Sequence, residues 1–355
     1  MPKRRRRATV PTQVWHHEQS GIGGRVLGRR PQFYAIAGVV ALVAVAVGLV
    51  IYAFGSSWLE DRNRPGSTAI QGGATKYSVR YYSERLRQYV EEIGAESQIA
   101  QNPQIAMQIV SSDLEEEAIL LSSAHELGAT ASDDEVKAEI AKMLTLQGPD
   151  DPTFDSRLQE ELKNINISET QFRDRARAAV LRTKAQEKFT AEVPATAESI
   201  HYREILLSDQ AEADAIVAQI QGGADFAQIA GEKSDDPSAK EDGGDAGWAA
   251  RGSLQPEREE KLFALEPGGL TTFQNASQFI VYQLLEKQAD RPVEESQKSA
   301  ISANAYDKWL EEKRAALTID DNVSSAGCDA KRVKWVLDRA VPNVNNDLIS
   351  ESFCA

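Results

Sequence analysis

The stretch Ser234–Gly252, SDDPSAKEDGGDAGWAARG, decides how this 355-residue chain is read. It holds four glycines, four aspartates and one proline between two segments of helical pattern. Glycine supplies backbone angles that other residues avoid, and aspartate hydrogen-bonds its own main chain, so this composition predicts a tightly folded polar loop. Upstream, HYREILL (His201–Leu207) alternates apolar and polar residues as a strand does, and FIVYQLL (Phe279–Leu285) is a second, more apolar strand downstream. Between and around them, Glu212–Gln221, Phe226–Lys233 and Glu257–Leu265 carry helical spacing, and Leu270–Phe273 reads as a short strand. The order β–α–α–loop–α–β–β is α+β, with helices over a small antiparallel sheet.

Working towards the N-terminus, Phe33–Phe54 (FYAIAGVVALVAVAVGLVIYAF) runs for 22 residues without a charge. As a helix it would be roughly 33 Å long, enough for a hydrocarbon core of about 30 Å. Residues 1–34 carry eight Lys/Arg and one acid, a balance of +7. Because the whole chain is −14, residues 35–355 carry −21. The positive-inside rule then puts segment 1–32 in the cytoplasm, a transmembrane helix over 33–54, and the bulk of the chain outside. A cleaved signal peptide is the alternative, disfavoured by the long apolar core and long basic head. An acidic body lacks the basic face that phosphate binding needs, so no nucleic-acid partner is expected.

Residues 55–76 read as a juxtamembrane linker rich in Gly, Ser and charge, and 77–195 as a helical domain. Within that domain Ser132–Glu135 and Ser168–Gln171 are capping boxes, each opening a helix. On the second of these helices Phe172, Ala176, Ala179, Val180 and Thr183 form the expected buried stripe. Residues 292–317, with Trp309 and Leu310, return to helix. The final stretch, 318–355, is a tail with one possible helix, Lys331–Arg339, and both cysteines, Cys328 and Cys354. Outside the cytoplasm two cysteines more often pair than stay free, so a disulfide is expected, two free thiols being the alternative. His16, His17, His125 and His201 make no ligand spacing, and neither a metal nor another cofactor is expected.

Several of these segments resemble the parvulin-type (rotamase) peptidyl-prolyl isomerases along 199–287. Glu212-Ala213, Gly223–Ala230 and Ser234–Pro237 follow the family's text in order. Gly243–Trp248 (GGDAGW) then resembles its glycine turn, Arg251-Gly252 its RG pair, and Phe263–Gly268 its FAL.PG segment. The helical region 77–195 is similar to the N-terminal part of SurA-like anchored foldases, in which a helix after the rotamase domain, here 292–317, packs back on the helical domain. The resemblance implies a membrane-anchored foldase acting on unfolded or nascent secreted polypeptides.

An X–Pro bond turns over a barrier of roughly 20 kcal/mol. Catalysis therefore requires a site that holds the proline ring and favours the twisted amide over both planar forms. Carried over residue by residue, the family's first-strand histidine falls on Glu204, its last-strand histidine on Ile280 and its pocket phenylalanine on Arg258. The acid position falls on Asp236 and the Met/Leu position on Leu254, both in keeping with the family. The resemblance thus implies Asp236 and Glu204 as catalytic candidates, with Leu254, Arg258 and Ile280 lining the client site.

Each residue also has a plainer reading. Asp236 caps the turn at Pro237, Glu204 pairs with Arg203 or Arg258, and Arg258 either fills the pocket or binds an acidic residue beside a client proline. His201 lies three residues from Glu204, on the opposite face by strand parity, and reads as a strand-edge residue. Trp248 reads as core. Three functions follow: an isomerase, a catalytically silent holdase that keeps the fold, and an envelope adaptor.

Overall fold

The computed structural model describes residues 40–50, 59–60, 62–94, 96–344 and 354. The chain divides into two compact units, Met1–Asn63 and Arg64–Ala355. In the first, residues 40–50 are helical with exposed side chains. The rest of the apolar run expected to span a membrane lies outside the described residues. Among the described residues no helix is long and apolar enough to cross a membrane.

The second unit begins with a 3-10 turn (Arg64–Gly66) and a hairpin of β1 (Thr68–Gly72) and β2 (Thr75–Ser78). Ser78 caps α1 (Val79–Ile93), its Oγ accepting the Tyr81 N–H at 3.2 Å. Helices α2 (Glu96–Gln101), α3 (Pro103–Ser123), α4 (Asp133–Met143), α5 (Phe154–Ile165) and α6 (Glu169–Ala191) follow. Both capping boxes are formed, at Ser132/Glu135 and Ser168/Gln171. On α6 the buried set is Phe172, Ala176, Ala178, Leu181 and Ala185, while Thr183 is exposed. The expected stripe is too narrow because α6 packs on two sides: Phe172 and Ala176 join the α4–α5 core, and Leu181 and Ala185 join α3.

The second domain is an insertion. Its sheet runs in the order β4–β3–β6–β5, all antiparallel, from β3 (Thr196–Leu207), β4 (Asp245–Ala250), β5 (Leu270–Asn275) and β6 (Gln278–Pro292). Ile205, Leu207 and Val281 point to one face, covered by α7 (Gln210–Gln221) and α8 (Phe226–Lys233). Ile200, Tyr202, Ile280, Tyr282 and Leu284 point to the other, against α10 (Pro256–Phe263). The short helix α9 (Pro237–Glu241) and strand β4 occupy what reads in the sequence as a loop.

The glycine run is pinned against β3. The Glu204 N–H donates to the Gly244 carbonyl at 2.7 Å. Buried Ser234 accepts the Leu206 N–H at 3.2 Å, and the Asp235 N–H donates to the Leu206 carbonyl at 2.7 Å. Gly244 has φ +80°, and a Cβ there would lie 2.7 Å from the Glu204 carbonyl oxygen and 3.0 Å from the Phe226 ring. Only glycine fits so close to another backbone.

After β6 the chain returns. The Val293 N–H donates to the Ala195 carbonyl at 3.0 Å, and α11 (Glu295–Leu317) packs back on α6 and α3 through Tyr306 and Trp309. Residues 318–344 are an integral part of the first domain rather than a tail. Strand β7 (Asp320–Asp321) pairs with β1, and α12 (Ala330–Ala340) buries Val333, Val336 and Leu337 in the core that holds Tyr82 and Leu86. Cys328 and Cys354 are joined as a disulfide, with a Cα–Cα distance of 4.9 Å. The supposed linker differs as well: Ala69 and Ile70 on β1 are fully buried. They are buried because β1 packs on α3 and the core around it and is flanked by β7, about 250 residues further along the chain, which no local pattern reveals.

Inside this core an ion pair joins α1 to α3. Arg85 Nη1 lies 2.5 Å from Glu117 Oε1, and both side chains are under 10% exposed. The Tyr77 hydroxyl also donates to Glu117, at 3.5 Å. Two predictions follow from these contacts. Glu117→Leu strands a buried guanidinium and should cost ~3–5 kcal/mol in urea unfolding of residues 64–355, whereas Arg85→Met with Glu117→Leu should recover most of it. Gly244→Ala should cost ~2–4 kcal/mol, combining left-handed strain with overpacking. Gly247→Ala, also at positive φ but with nothing within 4 Å of its Cβ, should cost only about 1–2 kcal/mol.

Candidate functional site

The pairing of β3 with β6 sets Glu204 opposite Tyr282 and Leu206 opposite Ile280. By strand alternation Tyr202 and Glu204 share the face that carries Ile280 and Tyr282, away from α7 and α8. Residue Arg258, from the first turn of α10, reaches across this face. Its Nη2 lies 3.6 Å from Glu204 Oε2 and donates to the Tyr202 hydroxyl. The guanidinium carbon sits 5.5 Å from the Tyr202 ring centre and 5.4 Å from that of Tyr282, within cation–π range. The two rings meet edge to face at 5.8 Å. Leu254 and Phe273 pack at the border of the same apolar cluster.

The electrostatics follow from this enclosure. Burial pushes the Glu204 carboxyl above the usual carboxylate range, Arg258 draws it back, and Asp236 adds to the rise. Burial likewise raises Tyr202 and Tyr282, so both phenols stay neutral at physiological pH. Arg258 loses some of its charge preference to burial, and the two phenols and Glu204 more than restore it. Its Nε and the Tyr282 hydroxyl are buried with no protein partner among the described residues.

The structure brings Glu204, Arg258 and Ile280 together on one face, with Leu254 beside them. Glu204 pairs with Arg258 and not with Arg203, so two positions that depart from the parvulin pattern answer each other. Asp236 caps α9, its Oδ1 accepting the Ser238 N–H at 2.9 Å. Ile280 is 9% exposed and packs between Leu206 and Phe273, offering an apolar wall with no titratable group. His201 lies on the opposite face, stacked on Trp248 at 5.3 Å and bonded to Asp245 at 2.7 Å. Trp248 is half-buried rather than core, with Arg291 over its ring at 4.4 Å. The residues that the sequence reading missed are Tyr202, Tyr282 and Phe273. A signal existed, since Tyr202 is two residues from Glu204 and Tyr282 two from Ile280, the spacing that puts strand residues on one face.

Two family models match this chain. Residues 30–186 match the family described as SurA-like N-terminal domain. Residues 184–288 match the PPIC-type PPIase domain. Foldase protein PrsA 2 of Bacillus cereus is 28% identical over 192 residues, covering 52% of this chain and 62% of that one. The chain thus spans less than two thirds of the length of this relative. Peptidyl-prolyl cis-trans isomerase pin4 of Neurospora crassa is 41% identical over 70 residues, 20% of this chain and 52% of that one. Among solved structures, the peptidylprolyl isomerase PrsA of Bacillus anthracis aligns at 22% identity over 59% of this chain and 97% of that one, with a TM-score of 0.39. In family terms the chain joins a SurA-like N-terminal domain to a PPIC-type parvulin domain.

Proposed function

We propose that this chain is an extracytoplasmic foldase, held to the membrane by the apolar run at 33–54, that assists the folding of secreted polypeptides and isomerises their X–Pro bonds. Its basic head would lie in the cytoplasm and residues 64–355 outside. The observation that carries the reading is the pocket face of the PPIC-type domain. Leu254, Phe273 and Ile280 offer apolar surface for a proline ring beside the half-buried Glu204–Arg258 pair. In this reading Leu254, Arg258 and Ile280 hold the client, while Glu204 and the nearby Asp236 are the acids that face the twisting amide. The chemistry demands no covalent step, only tighter binding of the twisted amide than of either planar form.

A specific observation favours a second reading, a holdase that keeps the fold without turnover. Arg258 lies over Tyr202 and Tyr282 and so occupies space on the face where a proline ring would rest. Clients would then be retained on apolar surfaces rather than turned over.

The two readings separate in a prolyl-isomerisation assay on a short peptide with residues 55–355. The wild type should exceed the uncatalysed rate. Glu204→His with Arg258→Phe, which removes the pair as a unit, should raise kcat/KM by about tenfold or more. Background rates from the wild type would remove the isomerase reading and leave the holdase.

A further inference from the structure

A cleft of about 950 Å³ opens between the segment that follows β4 and the return helix α11. That volume lies in the upper part of the range of about 300–1,000 Å³ typical of ligand clefts. One wall is Leu254 and Phe273 from the PPIC-type domain, and the other is Ile301 and Ala305 of α11. Ile301 and Ala305 are four residues apart and so lie on one helix face. The walls are tied to each other: Asn304 Nδ2 donates to the Gly252 carbonyl at 2.8 Å and the Leu254 carbonyl at 3.0 Å. The cleft is therefore formed before anything enters it, which lowers the ordering cost of binding.

Its charge is one-sided. Glu257, Glu259, Asp307 and Glu311 line it, against the single cation Lys308. Glu259 is committed to the Gly252 N–H at 2.6 Å. Glu257, Asp307 and Glu311 are exposed, and among the described residues none of the three is in an ion pair. An apolar floor with a carboxylate rim matches an apolar segment flanked by cations, and repels one flanked by acids.

We infer that this cleft, with α11 as one wall, is a client subsite that selects extended apolar segments flanked by Lys or Arg. The inference rests on the foldase reading and adds to it a substrate class and a contribution from the SurA-like domain. Leu254 joins the two sites, since it borders both the pocket face and the cleft.

The test uses the full chain in detergent micelles and fluorescent peptides that share one apolar, proline-containing centre and differ only in Lys, Ser or Glu flanks. Anisotropy titrations should show the Lys-flanked peptide bound about tenfold more tightly than the Glu-flanked one, with the difference shrinking at high salt. Asp307→Lys with Glu311→Lys, both at exposed positions, should reverse the order, and Ile301→Asp should weaken all three peptides. Equal binding by all flanks, no binding, or an unchanged order in the charge-reversed variant would overturn the inference. So would peptide binding that falls as the chain dimerises, which would assign the cleft to a second copy. Suppression of aggregation of an unfolded protein, measured alongside, keeps the two claims apart. If suppression persists without charge preference, only this subsite fails; if suppression is absent, the foldase reading fails with it.

Discussion

Antiparallel pairing of β3 with β6, from Thr196↔Pro292 to Leu207↔Phe279, is the constraint on which the rest of the molecule depends. At its open end it brings Ala195 and Val293 within one hydrogen bond, so the chain must leave the helical domain and re-enter it at the same place. Helix α11 can then lie along α6 and α3, and the segments β7 and α12 can complete the sheet and core begun at β1. At its other end the same register sets Glu204 opposite Tyr282 and Leu206 opposite Ile280. A slip of one residue in β6 would turn Ile280 and Tyr282 to the face opposite Glu204 and Leu206. Register is secured on both sides, by apolar packing of Ile205, Leu207 and Val281 under α7 and α8, and by the glycine run bonded to the β3 backbone.

The pocket face shows how two dissimilar substitutions coexist. An isolated carboxylate at Glu204 would be poorly solvated, and an isolated guanidinium at Arg258 would face two aromatic rings without a counter-charge. Together they neutralise each other at 3.6 Å. With side chains 27% and 29% exposed, the pair is screened by solvent and contributes no more than about 1 kcal/mol to stability. Its consequence lies in occupancy and polarity: it fixes Arg258 over Tyr202 and Tyr282 and leaves Leu254, Phe273 and Ile280 as the apolar part of the face. The buried Arg85–Glu117 pair differs, because enclosure makes each partner costly without the other.

What could be read from sequence was whatever depends on near neighbours. Alternation in HYREILL and the apolar run FIVYQLL point to the two central strands, and Ser132/Glu135 and Ser168/Gln171 point to two helix starts. Hidden from such reading were features that depend on distant segments. The hairpin at 68–78 looks like linker because its burial comes from packing on α3 and from pairing with β7, neither of which is adjacent in sequence. Strand β4 hides in a glycine-rich run because its ladder is short and Gly247 and Trp248 pair with β3 without apolar alternation. At the candidate site, the family positions Glu204, Arg258, Leu254 and Ile280 come together on or beside one face. That Glu204 would choose Arg258 over its neighbour Arg203 depended on strand parity: Arg203 points to the opposite face, and Arg258 reaches Glu204 from α10.

We propose a client-handling foldase whose remodelled pocket face still accommodates proline. Its most direct test is the refolding of an aggregation-prone secreted protein whose slow phase is limited by proline isomerisation, followed with and without residues 64–355. A higher yield of native client together with a faster slow phase is the expected result. An unchanged yield and an unchanged slow phase would contradict it.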